Sequence, residues 1–496
     1  MGDLACVLAI ALALGGGIAL RIWVYRSTLG IPDSDEAIVG LMARHILNGE
    51  LTTFFWGQSY GSSQEALLTA PLFAVFGSSW LALRIVPMLL SGVAALVVWR
   101  VGRRTVGETP ARVAAAAYWI WPPFLVYKLT HQWGFYASAI VYGALVLLLA
   151  LRAVERPSRS RVGLLALVVG LAIWDSIQLA PVLVAALAWT VWRQPRVLRH
   201  AWLALPLAAA GALPWLLWNV RHDWASFVSP ISDTTTYQHR VRVFVSPLLP
   251  MLLGLRAPFS QEPVLGRLAT DALYGALVLL FLYGAYRSRG RSVSLLYFVA
   301  AAYPFVYAVS PQTLFTQEPR YLLVLSPAIV VVVAQLVRGL ATGVLLLAVL
   351  GGLSVVSLHR ADVWARTVPP DPQIAPRDVQ PLIRTLDGLG IRNVYATFWV
   401  AYRISFDSDE RVVATQNKLQ RLTFRSGRAY ASRNPYNRWK AYERRVEADP
   451  DHGFVFFRRE TKPDERVTRL RLRHELETHG YRRYVVGGFF VYAPPR

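Results

Sequence analysis

Apolar runs long enough to cross a bilayer fill the first three quarters of the chain. A helix needs about 20 mostly apolar residues to span the hydrocarbon core, and such runs lie near 4–24, 80–99, 113–127, 135–151, 162–174, 179–192, 201–220, 270–286, 293–310, 321–337 and 339–358. The pattern predicts eleven membrane helices. The runs 162–174 and 179–192 meet at Trp174-Asp175-Ser176-Ile177-Gln178, a polar turn that makes them either two short spans or one kinked one. Beyond His359 the pattern changes. Pro369-Pro370-Asp371-Pro372 reads as a turn-rich linker. After it, helical periodicity over 378–389, 400–406, 435–448 and 464–478 alternates with extended segments over 393–398, 411–415 and 454–457. A last strand pair over 481–492 turns at Gly487-Gly488. The expected architecture is an α-helical polytopic membrane protein with a small C-terminal α/β domain. Its parts are a membrane domain 1–358 with juxtamembrane helices in an outer loop 26–79, a linker 359–376 and a soluble domain 377–496.

Charge decides which side is which. The 496 residues carry 52 Lys and Arg against 30 Asp and Glu, a net +22 that would first suggest a polyanion partner. With 54% apolar and 17% charged residues, however, the chain is neither disordered nor an ordinary soluble protein. Its arginines sit in alternate loops: Arg100, Arg103, Arg104 and Arg112; Arg152, Arg156, Arg159 and Arg161; Arg193, Arg196 and Arg199; Arg287, Arg289 and Arg291; and Arg338. Only Glu108 and Glu155 oppose them. Short cytoplasmic loops retain Lys and Arg, so with eleven spans the amino terminus is expected in the cytoplasm of a plasma or inner membrane and the C-terminal domain outside. The first run lacks a basic leader and is long for a signal peptide, so it reads as an uncleaved anchor. One cysteine, Cys6, permits no intramolecular disulfide. No nucleic-acid or nucleotide-cofactor motif is present.

The first outer loop carries the chemistry. Pro32 and the acids after it start a helix well, with Asp33 or Ser34 as cap. Ile38, Leu41, Met42 and Ile46 share one face, so this helix is expected to lie flat on the membrane. Asp33, Asp35 and Glu36 then stand together at the bilayer surface. Mutual repulsion in such a cluster raises pKa values or calls for a cation, which suits a general base or a metal ligand set. Helix capping alone is the other use of the same residues.

Downstream come Gly57-Gln58-Ser59-Tyr60-Gly61-Ser62-Ser63-Gln64-Glu65 and Phe76-Gly77 before the second span. Asp35-Glu36, Ala43, Leu47, Gly49, Gly57, Tyr60, Glu65 and Phe76-Gly77 together resemble the GT-C membrane glycosyltransferases, in particular the family 39 group of protein O-mannosyltransferases and lipid A aminoarabinose transferases. Pro319-Arg320-Tyr321-Leu322 with Ser326-Pro327 is similar to a motif opening a late span in these enzymes. The resemblance covers residues 1–358. It departs after Tyr60, where the aminoarabinose transferases carry Glu-Lys-Pro-Pro and this chain has Gly-Ser-Ser-Gln-Glu, so aminoarabinose specificity does not carry over.

The resemblance implies a hexosyl- or pentosyltransferase that moves one sugar from a polyprenyl phosphate to a protein, glycan or lipid acceptor on the outer face, with inversion. Asp35 is then the expected base, and Glu36 its catalytic neighbour. Arg320, Lys128 and His131 are expected at the donor phosphate, and Asp33, Glu65 and Tyr60 at the acceptor or a metal. A divalent metal ion is the one cofactor left open. Each residue also has a plainer use: Arg320 and Lys128 as interfacial anchors, His131 as a structural hydrogen-bonding residue, Glu65 as a helix cap. The competing function is a transporter or lipid flippase, which would place charges near the bilayer midplane. The outer segment 221–267 is long enough for a lid. Asp407-Ser408-Asp409-Glu410, identical to residues 33–36, reads as turn-forming sequence.

Overall fold

The computed structural model describes residues 2–228, 235–310, 315–367, 376–417, 419–432, 434, 437–458 and 463–495. Among these, five helices are long and apolar enough to cross a membrane: Leu8–Arg26, Trp80–Thr105, Tyr136–Glu155, Arg267–Arg287 and Leu340–Thr367. A sixth candidate is the pair Pro195–Gly211 and Leu213–Arg221, bent by 68°. The eleven-span expectation is therefore not met by full-length helices. The other runs are helices cut short by identifiable breaks. Glu108–Ile120 stops before Pro122 and Pro123, which lack the N–H a continuing helix requires. Arg159–Asp175 and Ala180–Arg193 are separated by Ser176 and the tight turn Ile177–Leu179. Residues Arg320–Leu325 form a 3-10 turn before the helix Ser326–Ala334. The last span continues to Thr367, past the expected boundary at residue 358, because nothing between them breaks the helix. The proline turn at 369–372 lies outside the described residues, as does Ser232-Asp233-Thr234 of the outer segment.

The arginine loops meet in space. Arg104 donates to both oxygens of Glu155 at 2.9 and 2.6 Å, Arg103 and Arg112 flank Glu108 at 2.7 and 2.8 Å, and Arg193 donates to the Gly290 carbonyl at 2.7 Å. Exposed pairs of this kind add little stability. What they show is that the segment around Arg104 neighbours that around Glu155, and the segment around Arg193 that around Gly290.

The C-terminal domain holds a sheet built from β1 (Asn393–Ala396), β2 (Val413–Gln416), β5 (Gly453–Phe457), β6 (Arg482–Val486) and β7 (Phe489–Ala493), in the order β2-β1-β5-β7-β6. β1 runs parallel to β2 and β5, and β7 antiparallel to β5 and β6. The strands β1, β2 and β5 are buried throughout, as strands covered on both faces are, β2 included although it forms the edge of the sheet. The helix Gln380–Leu389 ends where Gly390 turns left-handed at φ 76°. Helices Phe398–Asp407, Lys440–Ala448 and Pro463–Thr478 complete the alternation read from the sequence. One hairpin lies outside the elements predicted from the sequence: β3 (Leu422–Arg425) and β4 (Arg428–Ala431), joined through Ser426-Gly427. Its strands are only four residues each, with arginines at the ends that meet the turn, too short for a period of two to stand out.

This domain docks on the loop between the first two long apolar helices. The first juxtamembrane helix, Ser34–Leu47, lies against Phe398–Asp407: Arg44 donates to the Phe406 carbonyl at 2.9 Å and pairs with Asp409 at 2.8 Å, while Trp80 donates to Asp407 at 2.6 Å. Asp407 and Asp409, within the turn that duplicates residues 33–36, thus bind the membrane part. His45 sits between two carboxylates, Nδ1 at 2.7 Å from Glu50 and Nε2 at 3.0 Å from Glu410, which also accepts from Tyr442 at 2.5 Å. Burial lowers the imidazole pKa, but the hydrogen bonds and charges of Glu410 and Glu50 outweigh it and raise it above 6.5. A group with a raised pKa stabilises the docked state below its undocked pKa and loses that contribution as pH rises through the docked one. Docking is therefore expected to loosen from somewhat above pH 6.5 upward. Crosslinking of paired cysteines across the interface at pH 6 and pH 9 checks this, and His45→Gln is expected to flatten the difference.

Candidate functional site

Asp33 opens the first juxtamembrane helix as its cap, accepting from the Glu36 amide at 3.0 Å with its own backbone extended. Both its oxygens also accept from the Trp133 indole at 2.9 Å. Burial, then the charges of Asp35 and Glu36, push its carboxyl up to about 7. The cap fixes where the next two acids point, and they point apart.

Glu36 points inward and is fully buried. Arg84 Nε donates to Oε1 at 2.9 Å and Arg84 Nη2 to Oε2 at 2.5 Å, His131 Nδ1 stands 2.9 Å from Oε2, and the Gln132 amide donates to Oε1 at 2.8 Å. Burial alone would raise this carboxyl, but Arg84 and His131 hold it down at about 2. Both oxygens are thus engaged by protein groups, an anchoring arrangement beside the catalytic use expected of Glu36. Its work is to tie the juxtamembrane helix to the second span and to the turn 128–133.

Asp35 points outward. It is 31% exposed, and its ion-pair partner is Arg438 of the C-terminal domain, at 3.9 Å. Tyr60 is half-buried beside it, edge-on to Phe135, and the charges acting on its hydroxyl are those of Arg438, Asp35 and Arg320. The loop around Tyr60 needs Gly61: φ is +73°, and a Cβ there would lie 2.0 Å from the Phe135 ring.

Lys128 and His131 reach the same place from the turn after Pro123–Lys128. His131 stacks on Trp133 at 4.5 Å, and Lys128 Nζ lies 3.5 Å above the Trp133 ring and 4.4 Å from that of Tyr136. Both are buried. Burial, and the charge of Arg320 nearby, drive the Lys128 ammonium well below its usual pKa, and burial likewise lowers His131. Arg320 pairs with the buried Glu318 and lies over the Phe315 ring at 4.1 Å, within electrostatic reach of Asp35 and Tyr136.

Glu65 is buried elsewhere, at the start of the second juxtamembrane helix, Gln64–Phe76. Its Oε1 accepts from Ser138 N at 2.9 Å and lies 3.0 Å from Ser138 Oγ, which is also 2.7 Å from Asp175 Oδ1. One hydroxyl has one hydrogen for two carboxyl oxygens, so one of the two carboxyls supplies a proton itself. That agrees with burial, which pushes Glu65 up to about 7 and Asp175 well above its usual value. Glu65 and the turn at Asp175 thus form a separate buried pair rather than part of the Asp35 group.

The described residues show no group of three or more His, Cys, Asp or Glu that could hold a metal ion. Glu36 and Asp33 give their oxygens to protein donors, so the cluster does not fit a divalent cation. The sequence reading missed Arg84, Trp133, Glu318 and Arg438. Arg84 had a signal, a lone arginine near the outer end of an apolar span; Arg438 had none.

One end of the polytopic helical frame thus gathers a partly exposed carboxylate, buried basic side chains and aromatic walls, and the frame is that of a GT-C fold. That fold is shown directly by solved structures. ArnT from Cupriavidus metallidurans bound to undecaprenyl phosphate matches 98% of this chain and 97% of its own, with a TM-score of 0.61 at 14% identity. The apo state of the same ArnT matches over the same shares with a TM-score of 0.62 at 15% identity. In sequence, residues 65–218 match the model of the dolichyl-phosphate-mannose-protein mannosyltransferase family. No curated protein matches the chain. These findings bear out the resemblance to GT-C membrane glycosyltransferases read from the first loop.

Proposed function

We propose that this protein transfers a single sugar from a polyprenyl phosphate to an acceptor hydroxyl at the outer membrane surface, with inversion and with Asp35 as general base. The observation that carries this is the contrast among three neighbouring acids: Asp33 and Glu36 have their oxygens engaged by protein hydrogen-bond donors, while Asp35, partly exposed, meets its ion-pair partner Arg438 only at 3.9 Å. In the reaction, the acceptor oxygen attacks the anomeric carbon and its proton passes to Asp35. The bond from that carbon to the phosphate oxygen breaks on the opposite side, and its electrons leave with the polyprenyl phosphate. Lys128 and Arg320 receive that phosphate. A buried lysine driven to lose its proton regains it when an anion arrives, so Lys128 gives most at the moment negative charge builds on the leaving group. Arg320, already neutralised in part by Glu318, adds a planar fork of donors. Glu36, Arg84 and His131 act as positioning residues, fixing the turn that carries Lys128.

The test is transfer of labelled sugar from a polyprenyl-phosphate sugar by membranes containing the protein. Release of free polyprenyl phosphate with label on the acceptor is the expected result; movement of intact donor across the membrane without bond cleavage would make it a flippase instead. The arginine excess of alternate loops supports an amino terminus inside. A periplasm-active reporter fused after residue 496 is expected to be active, and a cytoplasm-only signal would reverse the orientation.

A further inference from the structure

Arg438 of the C-terminal domain reaches to 3.9 Å from the carboxylate of Asp35, and the first loop is shaped to receive it. Gly57 has φ +67°, and a Cβ there would lie 2.5 Å from Arg438 Cα, so only glycine lets the two backbones meet. On one side of this contact Trp56 stacks on Trp439 at 4.2 Å and 10°. On the other, the Gln58 amide oxygen, turned toward the guanidinium, accepts from Arg438 Nη1 at 2.6 Å and Nη2 at 3.2 Å. The guanidinium lies 5.7 Å from the Phe55 ring centre and 5.5 Å from that of Phe398. It is 22% exposed and stands 3.9 Å from Asp35, too far for a hydrogen bond.

A fork with five N–H donors is thus held firmly next to the base, paired with it by charge but not hydrogen-bonded to it. Inversion sets the side on which it acts. The leaving phosphate and the incoming oxygen lie on opposite sides of the anomeric carbon, the membrane-borne Lys128 and Arg320 take the phosphate, and Asp35 takes the proton from the oxygen. A cation that reaches Asp35 from the soluble domain therefore borders the incoming molecule.

We propose that Arg438 is the acceptor-side residue of this centre, and that through it the C-terminal domain selects an acceptor whose reacting hydroxyl lies beside an anionic group, a phosphate or a carboxylate. The proposal rests on the transferase reading above. Guanidinium binds such groups through paired hydrogen bonds, and Gln58 fixes the plane of the fork. The anion replaces Asp35 as the partner of Arg438, leaving the carboxylate to accept the proton.

The test uses the full-length protein in lipid nanodiscs saturated with polyprenyl phosphate, so that Lys128 and Arg320 are already occupied, and titrates it with glycerol 3-phosphate and with glycerol. Wild type is expected to bind glycerol 3-phosphate and not glycerol. Arg438→Gln, which keeps a hydrogen bond to Gln58 without the charge, is expected to weaken glycerol 3-phosphate binding about tenfold or more, and Arg438→Lys to recover part of it. Affinity for polyprenyl phosphate is expected to be the same in all three. Equal binding of glycerol 3-phosphate by wild type and Arg438→Gln, or no binding by wild type, would overturn the proposal. Loss of polyprenyl phosphate binding in Arg438→Gln would overturn it too, by moving Arg438 to the donor side. Failure of wild type to bind polyprenyl phosphate at all would instead strike the transferase reading.

Discussion

Asp35→Asn is expected to lower sugar transfer about a thousandfold, the usual size of a general-base contribution, while leaving binding of polyprenyl phosphate unchanged. Asparagine keeps the shape of the side chain but accepts no proton, so the acceptor hydroxyl must attack with its proton still in place. The donor site is untouched, because Lys128 and Arg320 approach from other elements. Folding is untouched as well: Asp35 is 31% exposed and its ion-pair partner stands at 3.9 Å, and substitutions of that kind cost within about 0.5 kcal/mol. Asp33→Asn is the control. Its oxygens accept from Trp133 and from the Glu36 amide, bonds that an amide oxygen can still receive, so its loss in rate is expected to be much smaller. Initial rates at saturating donor, beside a direct measurement of polyprenyl phosphate affinity, separate the two variants. An Asp35→Asn protein that transfers sugar at the wild-type rate would remove Asp35 as the base.

Much of this was legible because local chemistry wrote it. Pro32 followed by three acids announces a helix start, and the structure caps that helix at Asp33. The glycines at 390 and 487 mark turns in the tail that the structure uses. The spans were less legible, since hydropathy measures transfer into lipid and not continuity of the backbone; Pro122-Pro123 and the Asp175 turn interrupt apolar runs without changing their composition. Within the site, Asp33, Asp35 and Glu36 are equivalent on paper. What separates them is helical rotation: each step along a helix turns a side chain by about 100°, so a solvent-facing Asp35 and a Glu36 turned to Arg84 follow from one cap. Contacts between distant segments left the faintest trace. The duplicated Asp407–Glu410 turn docks on Arg44 and His45, and Arg438 meets Gly57, pairings that no spacing rule joins.

The same contrast sets the largest stability effect. Glu36 and Arg84 are 0% and 1% exposed, and removing one partner of such a pair strands the other charge in a low-dielectric interior, at a cost of about 3–5 kcal/mol. Glu36→Gln is therefore expected to lower the melting temperature sharply and to abolish transfer, because the turn bearing Lys128 and His131 loses its anchor. The double variant Glu36→Gln with Arg84→Met removes the stranded charge. A buried ion pair exchanged for uncharged groups of similar volume is often neutral. The amide oxygen introduced by Glu36→Gln can still accept from the Gln132 backbone N–H, so most of the stability is expected to return. Transfer decides the role of Glu36. A positioning residue acts through the fold, so restoring the fold restores a measurable rate; a catalytic carboxylate leaves the double variant folded and as inactive as Asp35→Asn. Melting curves and transfer rates on wild type and these variants distinguish the two roles, and a folded but inactive double variant would return Glu36 to the chemistry.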